Sequence, residues 1–255
     1  VVLPRAGNLG GGGFMIIYLK EEDKTIAIDY REKAPSAATR DLFLDENGDY
    51  DRKKAQFSLL SAGVPGSVAG FHHALTRYGT LTWEEVLQPA IKLAEDGFVI
   101  PHDLANTLAS KRYRDRLSAD PAAAKVFFKK NKEIYSAGEI LIQKDLAWTL
   151  KQLSQNGPDA FYAGEIAKLI VKEMEINGGL ITLEDLKNYN VAERQPLIGN
   201  YKGYKVVSMP PSSSGGTHLI QMLNMLEDFP IKEMGFGSAD TIHILAEVMK
   251  RAYAD

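Results

Sequence analysis

Cysteine is absent from the 255 residues. That excludes disulfides, thiolate catalysis and cysteine-ligated zinc or iron–sulfur centres. No apolar stretch reaches the roughly 18 residues needed to cross a bilayer, so no membrane span is expected. An excess of one charge is missing too. The 30 Lys and Arg against 33 Asp and Glu leave a formal net charge of -3, which offers no basic face to nucleic acid. The five histidines contain no His-Glu-x-x-His pair. His72, His73, His102, His218 and His243 therefore read as structural, and neither a metal nor a cofactor is expected. The opening Val1-Val2-Leu3-Pro4-Arg5 has neither the basic start nor the long apolar core of a signal peptide. Internal repeats and linkers are not apparent either, so residues 1–255 read as a single domain.

What is present is an ordinary globular mixture, 45% hydrophobic and 25% charged, long enough to bury a sizeable core. The organising stretch is Gly10-Gly11-Gly12-Gly13. Residues without Cβ admit positive φ and close approach of another backbone or a ligand. The apolar run Phe14 to Leu19 follows directly and reads as a buried strand, so a tight packed turn is expected there rather than a loose loop. No Lys-Ser or Lys-Thr follows at P-loop spacing, and the glycines precede a strand rather than a helix, so neither phosphate-binding motif is matched.

Phe14 to Leu19 and Thr25 to Tyr30 are predicted to form a hairpin across Glu21-Glu22-Asp23-Lys24. Asp29-Tyr30-Arg31-Glu32-Lys33-Ala34-Pro35 closes it, and Pro35 puts Arg31 at a strand end. Leu44 to Lys54 is predicted to be an exposed loop. Gly63 to Gly70 is a turn feeding a helix from about Val68 to Tyr78, with Ser67 as its cap. Ser67 is not a nucleophile elbow, because Pro65 and Ala69 stand where that motif needs glycine. Thr82-Trp83-Glu84-Glu85 is a capping box opening a helix that Pro89 should break or restart before Gly97. The basic runs Lys111 to Arg116 and Lys129-Lys130-Asn131-Lys132 read as solvated faces. Helical spacing covers Asp145 to Gln155 and Gly164 to Ile176, stopped by Gly178. Thr182 caps a short helix, and Tyr204 to Met209 reads as a strand. Pro210 to His218 then leads into an amphipathic helix, where the serines and threonine are expected to cap rather than to bind an anion. The last helix, capped by Ser238, should turn Ile242, Leu245, Met249 and Tyr253 inward.

Taken together, in order, six segments resemble the large subunit of the γ-glutamyltransferase (γ-glutamyltranspeptidase, glutathione hydrolase) family. They are Ala6 to Met15, Asp29 to Pro35, Gly63 to Gly70, Asn177 to Leu186, Met209 to Gly216, and Lys250-Arg251-Ala252-Tyr253-Ala254-Asp255. Each alone is weak; the ordered set spans essentially the whole chain. Ser212 departs from the pattern, since the family usually has a third proline there.

The resemblance implies an α+β fold, the four-layer αββα sandwich of N-terminal-nucleophile hydrolases, of which this chain would be the large-subunit part. It implies self-cleavage of a precursor and a threonine nucleophile at the start of the small subunit. The family's Thr-Thr-His stretch is absent here, and Thr217-His218 is only a decoy, so no catalytic residue is expected in this chain. The chain is expected to lack the front and the back of the large subunit as well. Implied partners are glutathione or another γ-glutamyl compound, an acceptor amino acid, peptide or water, and the small subunit. The resemblance also implies a periplasmic or secreted enzyme. One residue carries over as substrate-binding: Arg31 matches the arginine that holds the donor's α-carboxylate. A guanidinium offers two parallel donors suited to that group; the alternative is that it merely pairs with Asp29 or Glu32 on the surface. Two other functions stay open: a cephalosporin acylase or capsule-processing relative on the same scaffold, and a non-catalytic γ-glutamyl or amino-acid binding module.

Overall fold

The computed structural model describes residues 1–130 and 133–255. It divides into two compact units, each discontinuous in sequence: Val1–Gly13 with Arg31–Asn190, and Phe14–Tyr30 with Val191–Asp255.

The larger unit is helical. Its principal helices are α1 (Ser67–Tyr78), α2 (Trp83–Glu95), α3 (Lys144–Asn156), α4 (Glu165–Asn177) and α5 (Leu183–Lys187). The capping box at α2 is formed: the Thr82 hydroxyl accepts from the Glu85 N–H at 3.2 Å, and the Glu85 carboxylate accepts from the Thr82 N–H at 2.7 Å. Pro89 does not break α2, contrary to expectation. Its missing N–H costs one ladder bond, while Leu87, Ile91 and Ala94 are buried on one face and keep the helix packed against α3, which buries Ala147, Leu150 and Leu153. The Trp83 indole locks the pair by donating to the Leu153 carbonyl at 2.8 Å. α4 stops as expected, with Gly178 in the left-handed region at φ 71°, where a Cβ would be strained. A small core of Phe98, Ile100, Leu104, Leu108 and Leu141 gathers where Phe98–Val99 pairs with Ile140–Leu141.

Two expectations for this unit need correction. Residues 44–54 are not loop throughout, because Asp51 caps a helix from Arg52 to Phe57 by accepting from the Lys53 and Lys54 N–H groups. Ser67 is not a cap: Gly66 holds that position without a side-chain bond, and Ser67 is buried as the first helical residue.

The smaller unit holds a three-stranded antiparallel sheet in the order β1 (Phe14–Leu19), β2 (Lys24–Asp29), β3 (Ala192–Arg194). β2 is central, and its Ile26, Ala27, Ile28 and Asp29 are all buried. The predicted hairpin is present with Phe14 opposite Asp29 and Leu19 opposite Lys24, one residue short of the expected end at Tyr30. A second hairpin joins β4 (Leu197–Tyr201) to β5 (Tyr204–Ser208). Its two-residue turn puts Lys202 at φ 48° and Gly203 at φ 84°, the handedness that matches strand twist. α6 (Ser214–Leu226) and α7 (Ala239–Ala254) complete the unit. The face of α7 differs from expectation: Thr241, Val248 and Ala252 are buried, whereas Ile242, Leu245, Met249 and Tyr253 are exposed. At the end of α7 the exposed Tyr253 still meets α6, its ring centre 4.9 Å from that of His218.

Candidate functional site

Arg31 is the residue the family resemblance marks for substrate, and its main chain is tied to a distant part of the larger unit. The Tyr189 hydroxyl donates to the Arg31 carbonyl at 2.8 Å. Two residues on, Lys33 and Val64 exchange backbone hydrogen bonds, Lys33 N–H to Val64 O at 3.2 Å and Val64 N–H to Lys33 O at 2.8 Å. Between them, Glu32 lies against Gly63, where a Cβ would come within 2.7 Å of the Glu32 Cβ. Gly63 is therefore required by packing, not by φ.

The guanidinium itself stays solvated. Arg31 Nε lies 3.6 Å from Glu32 Oε2, and the two side chains are 56% and 37% exposed. An ion pair so open to water contributes little to stability. Asp29 is engaged elsewhere: Arg194 holds its Oδ2 through Nε at 2.9 Å and Nη2 at 2.8 Å, across the β2–β3 pair, with the Asp29 side chain only 9% exposed.

The glycine run packs as expected, but by close approach rather than by unusual φ. Gly7, not the run, takes positive φ at 67°. The Gly11 carbonyl accepts from the Gly66 N–H at 2.8 Å and the Ser67 N–H at 3.0 Å. It thereby satisfies two orphan donors at the start of α1. A Cβ on Gly11 would sit 3.3 Å from the Asn8 carbonyl and 3.6 Å from Glu32 Oε1. The run, the head of α1 and the Arg31–Glu32 step are thus neighbours.

Two tyrosines stand behind this arrangement, and no sequence motif marks either. Tyr162 donates to the Pro65 carbonyl at 2.9 Å and accepts from the Ala69 N–H at 3.1 Å. Burial pushes its phenol up to about 12. Tyr189 stacks on Tyr162 with ring centres 5.7 Å apart and planes 11° apart. The Lys33 ammonium lies 5.0 Å above the Tyr189 ring and donates to the Asn190 carbonyl at 2.8 Å. Tyr189 follows a capping-box helix that is legible locally, yet no local signal says its hydroxyl reaches residue 31.

Other marked stretches fall as predicted. Ser213 caps α6, accepting from the Gly215 N–H at 3.4 Å, and Thr217-His218 lies in the first turns of that helix. A cavity of about 780 Å³ borders it, lined by Ile198, Pro211, Ser213, Thr217, His218 and Gln221 among others. The helix from Lys111 to Ala119 buries no residue, as a solvated face should. Lys129 pairs with Glu139 at 2.7 Å, while Asn131 and Lys132 lie outside the described residues. His72 packs edge-on to Trp83 at 5.2 Å, and burial lowers its pKa.

Comparison with known proteins bears directly on this geometry. A family model described as gamma-glutamyltranspeptidase matches residues 1–255. The glutathione hydrolase proenzyme of Escherichia coli (strain K12) is 52% identical over 255 residues, covering the whole of this chain and 43% of that protein. The Acylase ACY 1 proenzyme of Pseudomonas sp. (strain SE83) is 39% identical over 261 residues, again covering this whole chain and 46% of that protein. In the crystal structure of Helicobacter pylori gamma-glutamyltranspeptidase, the match has a TM-score of 0.96 at 48% identity and covers all of this chain and 72% of that one. The chain thus spans less than half the length of the curated relatives it matches.

Proposed function

The chain belongs to the γ-glutamyltranspeptidase family, and from that premise we propose that it is the large-subunit part of an enzyme that cleaves γ-glutamyl amide bonds in glutathione or related compounds. Its fold is α+β, the large-subunit part of the N-terminal-nucleophile hydrolase sandwich. In this reading the nucleophile is the N-terminal threonine of a small subunit cut from the same precursor. Its hydroxyl attacks the γ-carbonyl, its own α-amine takes the proton, and the amine of the donor leaves protonated. The γ-glutamyl ester that remains passes to water, or to the amine of an amino acid or peptide, which regenerates the threonine. A periplasmic or secreted location belongs to the same proposal and is checked by cell fractionation.

The part assigned to this chain is donor recognition. Arg31 holds the donor's α-carboxylate through two parallel charge-assisted hydrogen bonds. The observation that carries this is the contrast at that residue: a main chain pinned by Tyr189 and flanked by the Lys33–Val64 pair, bearing an exposed guanidinium. Pinning the backbone before binding reduces what must be ordered when the donor arrives. The Glu32 carboxylate, 3.6 Å from Nε, orients the group without neutralising it in so solvated a setting.

The test compares the complete, processed enzyme with its Arg31→Ala variant on two donors, one carrying the α-carboxylate and one lacking it. Truncating one member of a charge pair that the bound donor desolvates typically costs about 2–5 kcal/mol, so kcat/KM for the first donor should fall by more than about tenfold. The second donor should be poor with both enzymes and indifferent to the substitution. Arg31→Lys should recover part of the loss, because it keeps the charge without the fork. Equal losses on both donors would make Arg31 structural.

A further inference from the structure

We infer that Tyr189 is the positioning residue for Arg31, acting through main chain rather than by touching the donor; this rests on Arg31 being the α-carboxylate anchor. The segment around the end of α5 grips residues 31–36 at three points. The Ser36 N–H donates to Asp185 Oδ1 at 2.8 Å, the Tyr189 hydroxyl donates to the Arg31 carbonyl at 2.8 Å, and the Lys33 ammonium donates to the Asn190 carbonyl at 2.8 Å. The first ties the far end of the stretch and the last its middle. Of the three, it is the tyrosine that bonds the carbonyl of the arginine itself.

Three features suit Tyr189 to that task. The residue is buried, and its ring stacks on Tyr162, whose hydroxyl is itself fixed to Pro65 and Ala69. The hydroxyl therefore cannot wander far from its acceptor. The Lys33 ammonium above the ring draws electron density out of the π system and makes the phenol a stronger donor. Finally, the acceptor is the carbonyl of the residue whose side chain must present a fork in one plane. Slack in the main chain there would shift the Cα from which the guanidinium projects, and small misplacements of a binding group are expensive.

The consequence is a specificity effect. With the Tyr189 hydroxyl removed, the Arg31 side chain keeps its charge and chemistry but loses part of its pre-set orientation. Binding of donors that use the α-carboxylate should weaken, while the acyl-transfer chemistry on the bound donor should not change. A residue that only holds the unit together would weaken every donor alike.

The experiment uses the complete, processed enzyme and the same two donors, with wild type, Arg31→Ala, Tyr189→Phe and Lys33→Met. Tyr189→Phe keeps the stacked ring. It should raise KM for the α-carboxylate donor by about two- to tenfold, the value of one neutral hydrogen bond, leaving kcat within about twofold and the other donor unmoved. Lys33→Met should act in the same direction and more weakly, and it decides the matter if Tyr189→Phe fails to fold or to process. Equal changes on both donors overturn the inference. So does a donor-selective Arg31→Ala loss accompanied by no selective change in Tyr189→Phe or Lys33→Met. If Arg31→Ala itself shows no donor selectivity, the underlying reading of Arg31 falls, and that result is distinct from the other two.

Discussion

Gly215 and Gly216 are adjacent in the first turn of α6, yet alanine should act on them with opposite sign. A Cβ at Gly215 would meet only Ser213 Oγ at 3.6 Å, an ordinary contact. A Cβ at Gly216 would overlap the Met209 carbonyl oxygen and stand 2.9 Å from Ser208 Oγ and 3.1 Å from the Met209 carbonyl carbon. The obstacle is main chain at the end of β5, which has no rotamer to escape into, so helix and strand must separate. Replacing glycine by alanine inside a helix gains up to about 1 kcal/mol. At Gly215 that gain stands almost alone. At Gly216 it is set against overpacking, which costs about 1–3 kcal/mol and lies at the upper end where backbone is struck. The expected outcome is a stabilisation of about 0.5–1 kcal/mol for Gly215→Ala and a destabilisation of about 2 kcal/mol for Gly216→Ala. Urea midpoints of the two variants in the complete protein measure the difference. A neutral or stabilising Gly216→Ala would refute the packing of α6 on Met209.

Two further predictions concern titration. Tyr162, with its phenol pushed from 10.0 up to about 12, should be among the last tyrosines to ionise in an ultraviolet alkaline titration. Because its folded value is raised, the stability it supplies is present below pH 10 and drains away as pH climbs from 10 toward 12. Tyr162→Phe should abolish that part of the alkaline loss. Asp185 is affected first by burial, which raises its pKa, but bonds from Ser36 and Thr182 outweigh it and hold the carboxyl below its usual 3.8. A lowered folded value means stability that is present above about pH 4 and lost on further acidification. Asp185→Asn should cost about 1 kcal/mol at neutral pH and flatten the acid limb of the stability profile, as read by urea unfolding across pH.

Elements written in local chemistry are legible in the chain itself. The β1–β2 hairpin follows from β-branched and apolar runs split by a charged turn, and both capping boxes follow from Thr82 with Glu85 and Thr182 with Asp185. Gly178 as a stop needs only the left-handed conformation it adopts. Residues 192–201 are not legible in this way, because three-residue β3 and a five-residue β4, preceded by Pro196 and broken by Gly199-Asn200, carry too little pattern to stand out. Pro89 misleads a local reading. The rule that proline breaks a helix is overridden by the buried face of α2 against α3.

The candidate site divides along the same line. The sequence by itself placed Arg31 at a strand end before Pro35; only resemblance to the family singled it out as a carboxylate anchor. The sequence also marked the glycine run around Gly11 and the turn at Gly63 as places of close packing, but not what packs there. Tertiary structure alone decided that Gly11 accepts from the head of α1, that Gly63 makes room for Glu32, and that the Tyr189 hydroxyl fixes the Arg31 carbonyl. Such contacts join residues dozens to more than a hundred positions apart. Nothing in the spacing of a chain encodes where its distant parts meet; that is set by which buried faces must cover one another.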